Sequence, residues 1–399
     1  MTRLGLISVL SGLAAAPVSK ALAQWTVINL HPAGATASAV NGVGAGTQTG
    51  FANIGGVRHA SLWNGTAASW VDLNPAGAAL SEGLGASDTH QAGYARIGSD
   101  DHASLWTGTS GSYIDLHPAV ALASYAYGVS GSQQAGVASI GGGSARASLW
   151  TGSAASWINL HPTGATWSEA RGVGDGQQVG HATVSGSDHA GLWSGSAASW
   201  VDLHPAGASS SKAMGVGGGQ QVGWAIVGGQ RHAALWAGSA ASFVDLNPSG
   251  STFSSALGVG GGTQVGYARF GGTDRAGLWT GSAASWIDLH AQLPIGYSSS
   301  IAWCIRRTGS TMYIGGQGHN TLTGRDEAVL WIHPIATTCY PNCDSSTGSP
   351  LLTANDFQCF LNKYASNDTY ANCDGSTGSP TLTANDFQCF LNKFASGCP

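Results

Sequence analysis

Acidic residues that stand outside any repeated phrase are the first place to look for catalysis: Glu82, Glu169, Asp175, Asp188 and Glu327. A glycoside hydrolase needs two carboxylates flanking one bond, and none of these has a partner at a telling spacing. The chain holds no G-x-S-x-G, H-E-x-x-H or P-loop pattern. Histidine recurs at His31, His117, His161, His204 and His290, with Asn at 74 and 247. A metal site would need them in one cluster, but they fall one per repeat, so they read as turn caps. Asp72, Asp115, Asp202, Asp245 and Asp288 share a repeated position with Asn29 and Asn159, so that position needs no charge. The residues that differ between copies say more. One position holds Asn41, Leu84, Tyr127, Arg171, Met214, Leu257 and Trp303; another holds Phe51, Tyr94, Val137, His181, Trp224 and Tyr267. Aromatic and basic variation at a pocket mouth suits a carbohydrate or peptide ligand. Tyr127, Arg171, Met214, Trp224 and Trp303 are the candidate contacts. Drift at packing positions between repeats would give the same pattern.

The elements that must position these residues are repeats. The phrase GSAASWVDLHP recurs with its aromatic at Trp70, Tyr113, Trp157, Trp200, Phe243 and Trp286, a step of 43 or 44 residues. A Leu-Trp pair ends seven times, at Trp63, Trp106, Trp150, Trp193, Trp236, Trp279 and Trp331. Each unit holds four short runs split by Gly and Ser; in the fifth they are Ala213–Gly217, Gln221–Val227, His232–Ala237 and Ser242–Leu246. Such runs read as strands, and four per unit of this length is the mark of a propeller blade. The seventh Leu-Trp is followed by Ile332-His333-Pro334 and lacks the outer run, while residues 25–32 are an orphan copy of it. The expectation is an all-β, seven-bladed β-propeller over 24–335, closed by its N-terminal strand; an eight-bladed or open array is the alternative. The segment 215–236 resembles the HAF-type repeat of bacterial secreted proteins. That resemblance covers about 25–335 and implies an extracellular repeat protein with no defined catalysis.

After His333 the composition changes, and six of the seven Cys fall between 339 and 398. A 30-residue period appears, starting at Asn342 and Asn372, each copy a polar loop followed by an amphipathic helix. Phe357, Phe360, Leu361 and Tyr364 form one apolar stripe and Phe387, Phe390, Leu391 and Phe394 the other. Six Cys allow 15 connectivities; the set that respects the duplication and clasps the ends is Cys343–Cys359, Cys373–Cys389 and Cys339–Cys398. Cys304 is left over, as a buried thiol. The region 336–399 resembles a dockerin module of the Cys-rich type that ends in Gly-Cys. The resemblance implies EF-hand-like calcium loops with ligands Asn342, Asp344, Ser346 and Asp356, then Asn372, Asp374, Ser376 and Asp386. Asn342 to Asp356 spans 15 residues, where an EF-hand loop has 12. Thr353-x-x-Asp356 and Thr383-x-x-Asp386 also read as helix capping boxes, in which Asp satisfies backbone N–H groups and no metal is needed.

Composition excludes several classes. Charged residues are 9% of the chain and the net charge is -5, which argues against a nucleic-acid binder. With 43% hydrophobic residues the chain is not disordered. The start, Met1-Thr2-Arg3, an apolar run from Leu4 to Val18 and Ala21-Leu22-Ala23, reads as a signal peptide over 1–23 with Gln24 as the mature start. No other stretch is long and apolar enough to span a membrane. The expected protein is therefore secreted or extracellular, free or attached to a cell surface: a monomeric, non-enzymatic binding or structural propeller with no cofactor other than calcium in the tail. Its tail would engage a protein partner or surface receptor. The alternative is a secreted carbohydrate-active enzyme.

Overall fold

The computed structural model describes residues 24–335, 340–344, 346 and 352–396. The expected signal segment, Cys339 and Cys398 lie outside them. In the fifth repeat, Ser211–Gly217, Gln220–Val227 and Gln230–Trp236 form three antiparallel strands. Gly218-Gly219 and Gly228-Gly229 make the hairpins, each pair at positive φ, as two-residue turns that follow the strand twist require. The fourth run differs from expectation. Ala240–Ser242 coils into a 3-10 turn and only Val244–Asp245 pairs as a strand, Val244 opposite Leu235. The Ser242 hydroxyl causes this: it accepts from the Ala237 N–H at 2.7 Å and donates to the Ser239 carbonyl at 2.6 Å. The outer edge is thereby kept too short to template pairing with another chain.

Among the described residues the sheets number seven, each four-stranded. Six are built from consecutive strands, and the seventh places Thr26–Asn29 beside Arg325–Pro334. Thr26 stands opposite Ile332 and Asn29 opposite Val329, so the expected closure is present. Glu327 clasps it. Its carboxylate accepts from Asn29 Nδ2 and Tyr297 Oη at 2.8 Å each, from Asn320 Nδ2 at 3.0 Å and from Thr323 Oγ1 at 2.8 Å. Burial works to raise the Glu327 pKa, and these donors outweigh it and hold it below the usual value.

The core lies between blades. All seven Leu-Trp tryptophans are fully buried. Trp236 of blade five packs with Val179, Leu192 and Leu203 of blade four. A polar link accompanies each contact. The hydroxyl of Ser211, on the inner strand of blade five, accepts the Ala190 N–H of blade four at 2.9 Å. Ser38, Ser81, Ser124, Ser168, Ser254 and Ser300 do the same at their own junctions, at 2.9 or 3.0 Å. The repeated His caps this link: His204 Nδ1 faces the Ser211 hydroxyl at 2.8 Å and Nε2 the Ala208 carbonyl at 3.0 Å. Asn replaces it because Asn74 Oδ1 takes the Ser81 hydroxyl equally well, at 2.6 Å. Asp202 accepts the His204 N–H, a bond that Asn159 makes to His161 without charge.

The tail holds helices α1 (Ala354–Ala365) and α2 (Ala384–Ser396). Phe360 and Phe390 are fully buried and stack at 4.0 Å between the copies. Cys343–Cys359 and Cys373–Cys389 are bonded, as the duplication predicted. Tyr340 and Tyr370 stack at 4.8 Å, and each hydroxyl donates to the other's carbonyl.

Candidate functional site

Each inner strand carries one residue too many for its neighbour. The pairing register skips between Val40 and Gly42, Gly83 and Gly85, Ala126 and Gly128, and at the same point in every later blade. The skipped residues are Asn41, Leu84 and Tyr127, then Arg171, Met214, Leu257 and Trp303, all of them around the axis. A β-bulge re-aims the side chain of its extra residue, and here it does so at one level of a shared channel. The next position is Gly in six blades and Cys304 in the seventh. A Cβ on Gly42 would lie 2.5 Å from the Ala86 nitrogen, and one on Gly85 2.7 Å from the Tyr127 oxygen. The glycines let the strands converge. Blade seven accommodates its side chain by exchange: Gly315 faces Cys304, and a Cβ there would meet the sulfur at 2.8 Å. Burial pushes the Cys304 thiol up to about 12, so it stays protonated.

The resulting cavity measures ≈ 430 Å³. Leu84, Met214 and Leu257 give it apolar walls, and below them Val43, Val129, Val173 and Ile305 narrow the axis. Polar groups converge from the sides. The Arg171 guanidinium lies 4.3 Å from the Tyr127 ring centroid and pairs with Glu169 at 2.5 Å. Asn41 Nδ2 donates to Glu82 Oε1 at 3.2 Å, and Glu82 pairs with Arg58 at 2.8 Å. Burial raises the Tyr127 hydroxyl to about 12, so it is a donor at neutral pH. Trp303 Nε1 and Arg171 Nε are buried without a partner among the described residues. The opposite mouth, a cavity of ≈ 690 Å³, is polar, with an Arg306–Asp88 pair at 2.8 Å.

Tyr127, Arg171, Met214 and Trp303 are thus brought together as the sequence suggested. Trp224 is not. It lies on the second strand, 7% exposed, beneath the Arg231 guanidinium at 4.2 Å. Residues on a flat strand alternate faces, and without the bulge in view the two variable positions look equivalent. Among the non-repeated acids, Glu82 and Glu169 are paired with arginine and Asp188 with Lys212. Asp175 accepts the Gly218 N–H, and Glu327 closes the ring. Sequence reasoning missed the bulge, which shows only in the pairing register, with Ala213 opposite Gly223 and Gly215 opposite Val222.

In the tail, Asp356 and Asp386 are fully buried. Asp356 accepts the N–H groups of Asp344 at 3.1 Å and Thr353 at 2.8 Å; Asp386 accepts those of Asp374 and Thr383 at the same distances. These carboxylates serve as caps. Asp344 and Asp374 accept the N–H groups of Ser346 and Ser376. Among the described residues no three His, Cys, Asp or Glu side chains cluster to hold a metal. One observation fits a cation: Asn342 Oδ1 and Asn372 Oδ1, at the same position in the two copies, are buried without partners among the described residues.

No protein-family model and no curated protein matches this sequence. Solved structures match in fold. Puromycin hydrolase is 12% identical, with 74% of this chain and 53% of that one covered and a TM-score of 0.50. A puromycin-hydrolyzing peptidase of Mycobacterium tuberculosis is 14% identical, with 75% and 54% covered and a TM-score of 0.51. TolB from Acinetobacter baumannii is 10% identical, with 70% and 76% covered and a TM-score of 0.39. The chain spans about half the length of the two hydrolases. At such identities the likeness is one of fold.

Proposed function

We propose that this protein is an exported binding propeller that takes a peptide segment at its axial mouth and is tethered through its dockerin-like tail. One observation carries the reading. Seven geometrically equivalent bulges present six different residue types to one cavity, while the neighbouring ring is glycine in six blades. Packing alone would repeat the residue, as it does for the buried Trp ring. An apolar wall with a few convergent polar groups suits a large apolar side chain flanked by backbone amides. Paired acids and a protonated Cys304 support a non-catalytic role. The two disulfides support an oxidising, extracellular address, and no helix among the described residues is long and apolar enough to cross a membrane. In the tail, Asn342 with Asp344 and Asn372 with Asp374 would hold calcium, with Asp356 and Asp386 bracing the loops.

Peptide and glycan arrays probed with the full-length protein test the mouth. Binding to peptides with large apolar side chains, lost in Trp303→Ala and Arg171→Ala while the melting temperature holds, is expected. Binding that survives both substitutions, or glycans alone bound there, overturns the peptide reading. Calorimetry with calcium tests the tail: Asp344→Ala should remove one site's share of the heat, and Asp344→Ala with Asp374→Ala should abolish it, with the helices left intact. Absence of heat in the unmodified protein would leave Asp356 and Asp386 as caps only.

A further inference from the structure

Blade seven has an outer edge unlike the other six. In blades one to six the outer strand pairs over two residues. The aromatic before it, from Trp70 in blade one to Trp286 in blade six, has its N–H tied into the 3-10 turn at 3.3 or 3.4 Å. The residue left on the open side is Asp in five blades and Asn159 in the third. Short edges and edge charges both discourage pairing with another chain. Blade seven has neither device. Its outer strand, Thr26–Asn29, pairs over four residues and stands last in its sheet. No residue from Gln24 to Leu30 is charged or proline. Val27, opposite Trp331 as Trp70 would be opposite Trp63, belongs to the strand itself and not to a turn.

The hydrogen bonds fix which groups point outward. The Leu30 N–H donates to the Ala328 carbonyl at 2.8 Å. In an antiparallel ladder, residues bonded to the neighbour alternate with residues that face away from it. Thr26 and Ile28 therefore bond inward, while Val27 and Asn29 turn N–H and C=O to the open side, where no backbone of the described residues meets them. The strand is held ready: the Trp25 ring lies 4.5 Å from that of His333, and Asn29 Nδ2 donates to Glu327 at 2.8 Å. Such an edge accepts one kind of occupant, another extended backbone. A foreign strand laid there would bring a new open edge of its own. An identical edge would not, because two-fold antiparallel pairing uses up both edges and closes. Thr26, Val27 and Ile28 are all β-branched and uncharged, so the strand suits itself as a partner. We propose that this edge is a self-association surface: two copies pair their Thr26–Asn29 strands antiparallel, each Val27 opposite the other, and join their seventh blades into one eight-stranded sheet. Trp25 of each copy then lies opposite Asn29 of the other. The edge is on the rim and the mouth on the channel, so the inference does not rest on the peptide reading.

The test uses the full-length protein in its exported form. Sedimentation equilibrium should show a reversible monomer–dimer equilibrium at about 10⁻⁵ to 10⁻⁴ M, in keeping with a small interface. Val27→Pro removes an outward N–H and no ladder donor, and should abolish the dimer. Thr26→Lys, at an exposed side chain, brings like charges near the two-fold axis and should weaken association about tenfold. Both variants should keep the melting temperature; if Val27→Pro lowers it, Thr26→Lys alone decides. Oxidised Val27→Cys should form a covalent dimer, since bonded residues opposite each other stand about 5.5 Å apart. Trp303→Ala should leave association unchanged. A monomer throughout that range, or a dimer as strong in Thr26→Lys as in the unmodified protein, would overturn the edge. Association lost in Trp303→Ala would place the contact at the mouth and overturn it too.

Discussion

The first six blades repeat every 43 or 44 residues, and all seven meet through buried Trp rings, Ser hydroxyls and a glycine-lined axis; the tail copies repeat every 30 and carry one disulfide each. A blade has no core of its own. The cluster around Trp236 draws Val179, Leu192 and Leu203 from the preceding blade, so each link belongs to two blades and the ring fails or holds as a whole. A tail copy keeps its covalent loop whatever its neighbour does and shares with it a cluster of phenylalanines and the Tyr340–Tyr370 pair. Many weak, shared junctions suit a large ring that buries enough surface. A unit of about 60 residues cannot rely on that alone and uses staples.

The contrast predicts where damage spreads. Deleting 24–32 should have the largest effect, because it removes a whole ladder, the buried Leu30 and the Asn29–Glu327 bond. Calorimetry should show the propeller transition collapse as one unit; loss of blade seven alone would show that the blades are independent. Trp236→Ala should cost about 3–5 kcal/mol and lower the same single transition, read by chemical denaturation. Cys373→Ser with Cys389→Ser opens a loop with a sequence separation of 16 residues and should cost about 3 kcal/mol. That loss should appear in the tail helices by circular dichroism and leave the propeller transition where it was.

Acid should act on the blades by a smaller amount. Burial, ahead of any neighbouring charge, lowers the pKa of His117, His161, His204 and His290. The unfolded chain, with imidazoles near 6.5, then binds more protons than the folded one. The stabilisation is fully present above about pH 6.5 and is lost as pH falls through the lower folded values. Thermal melts from pH 7 to pH 4 should show the decline. His204→Asn, which copies what Asn74 and Asn247 already do, should reduce it; an unchanged slope would place the effect elsewhere.

Repeats make the propeller and its closure legible in the amino-acid order alone, because period, strand length and the missing outer run are properties of position along the chain. The bulge is harder. Asn41 to Trp303 can be aligned as variable residues, but their aim depends on a register slip between two strands that no single run displays. Trp224 groups with them for that reason, and only its burial under Arg231 separates it. Glu327 looks like a spare acid in the sequence, since its partners Asn29 and Tyr297 lie 298 and 30 residues away. The capping boxes are visible at Thr353 and Thr383. That the same aspartates also hold the N–H groups of Asp344 and Asp374, 12 residues upstream, emerges only in the folded loop.

The strand Arg325–Pro334, which leads toward the tail, is flanked on one side by Thr311–Asn320 and on the other by Thr26–Asn29. A protein anchored by its tail and pulled through its blades takes the load on this strand. Because it is interior to its sheet, it cannot peel away one hydrogen bond at a time from a free edge; two ladders and the Glu327 clasp must give way together. Borrowing the N-terminal strand thus turns the exit toward the tail from the weakest seam of the ring into a double lap joint, and the fold should bear tension there better than a ring whose last strand lay at the rim.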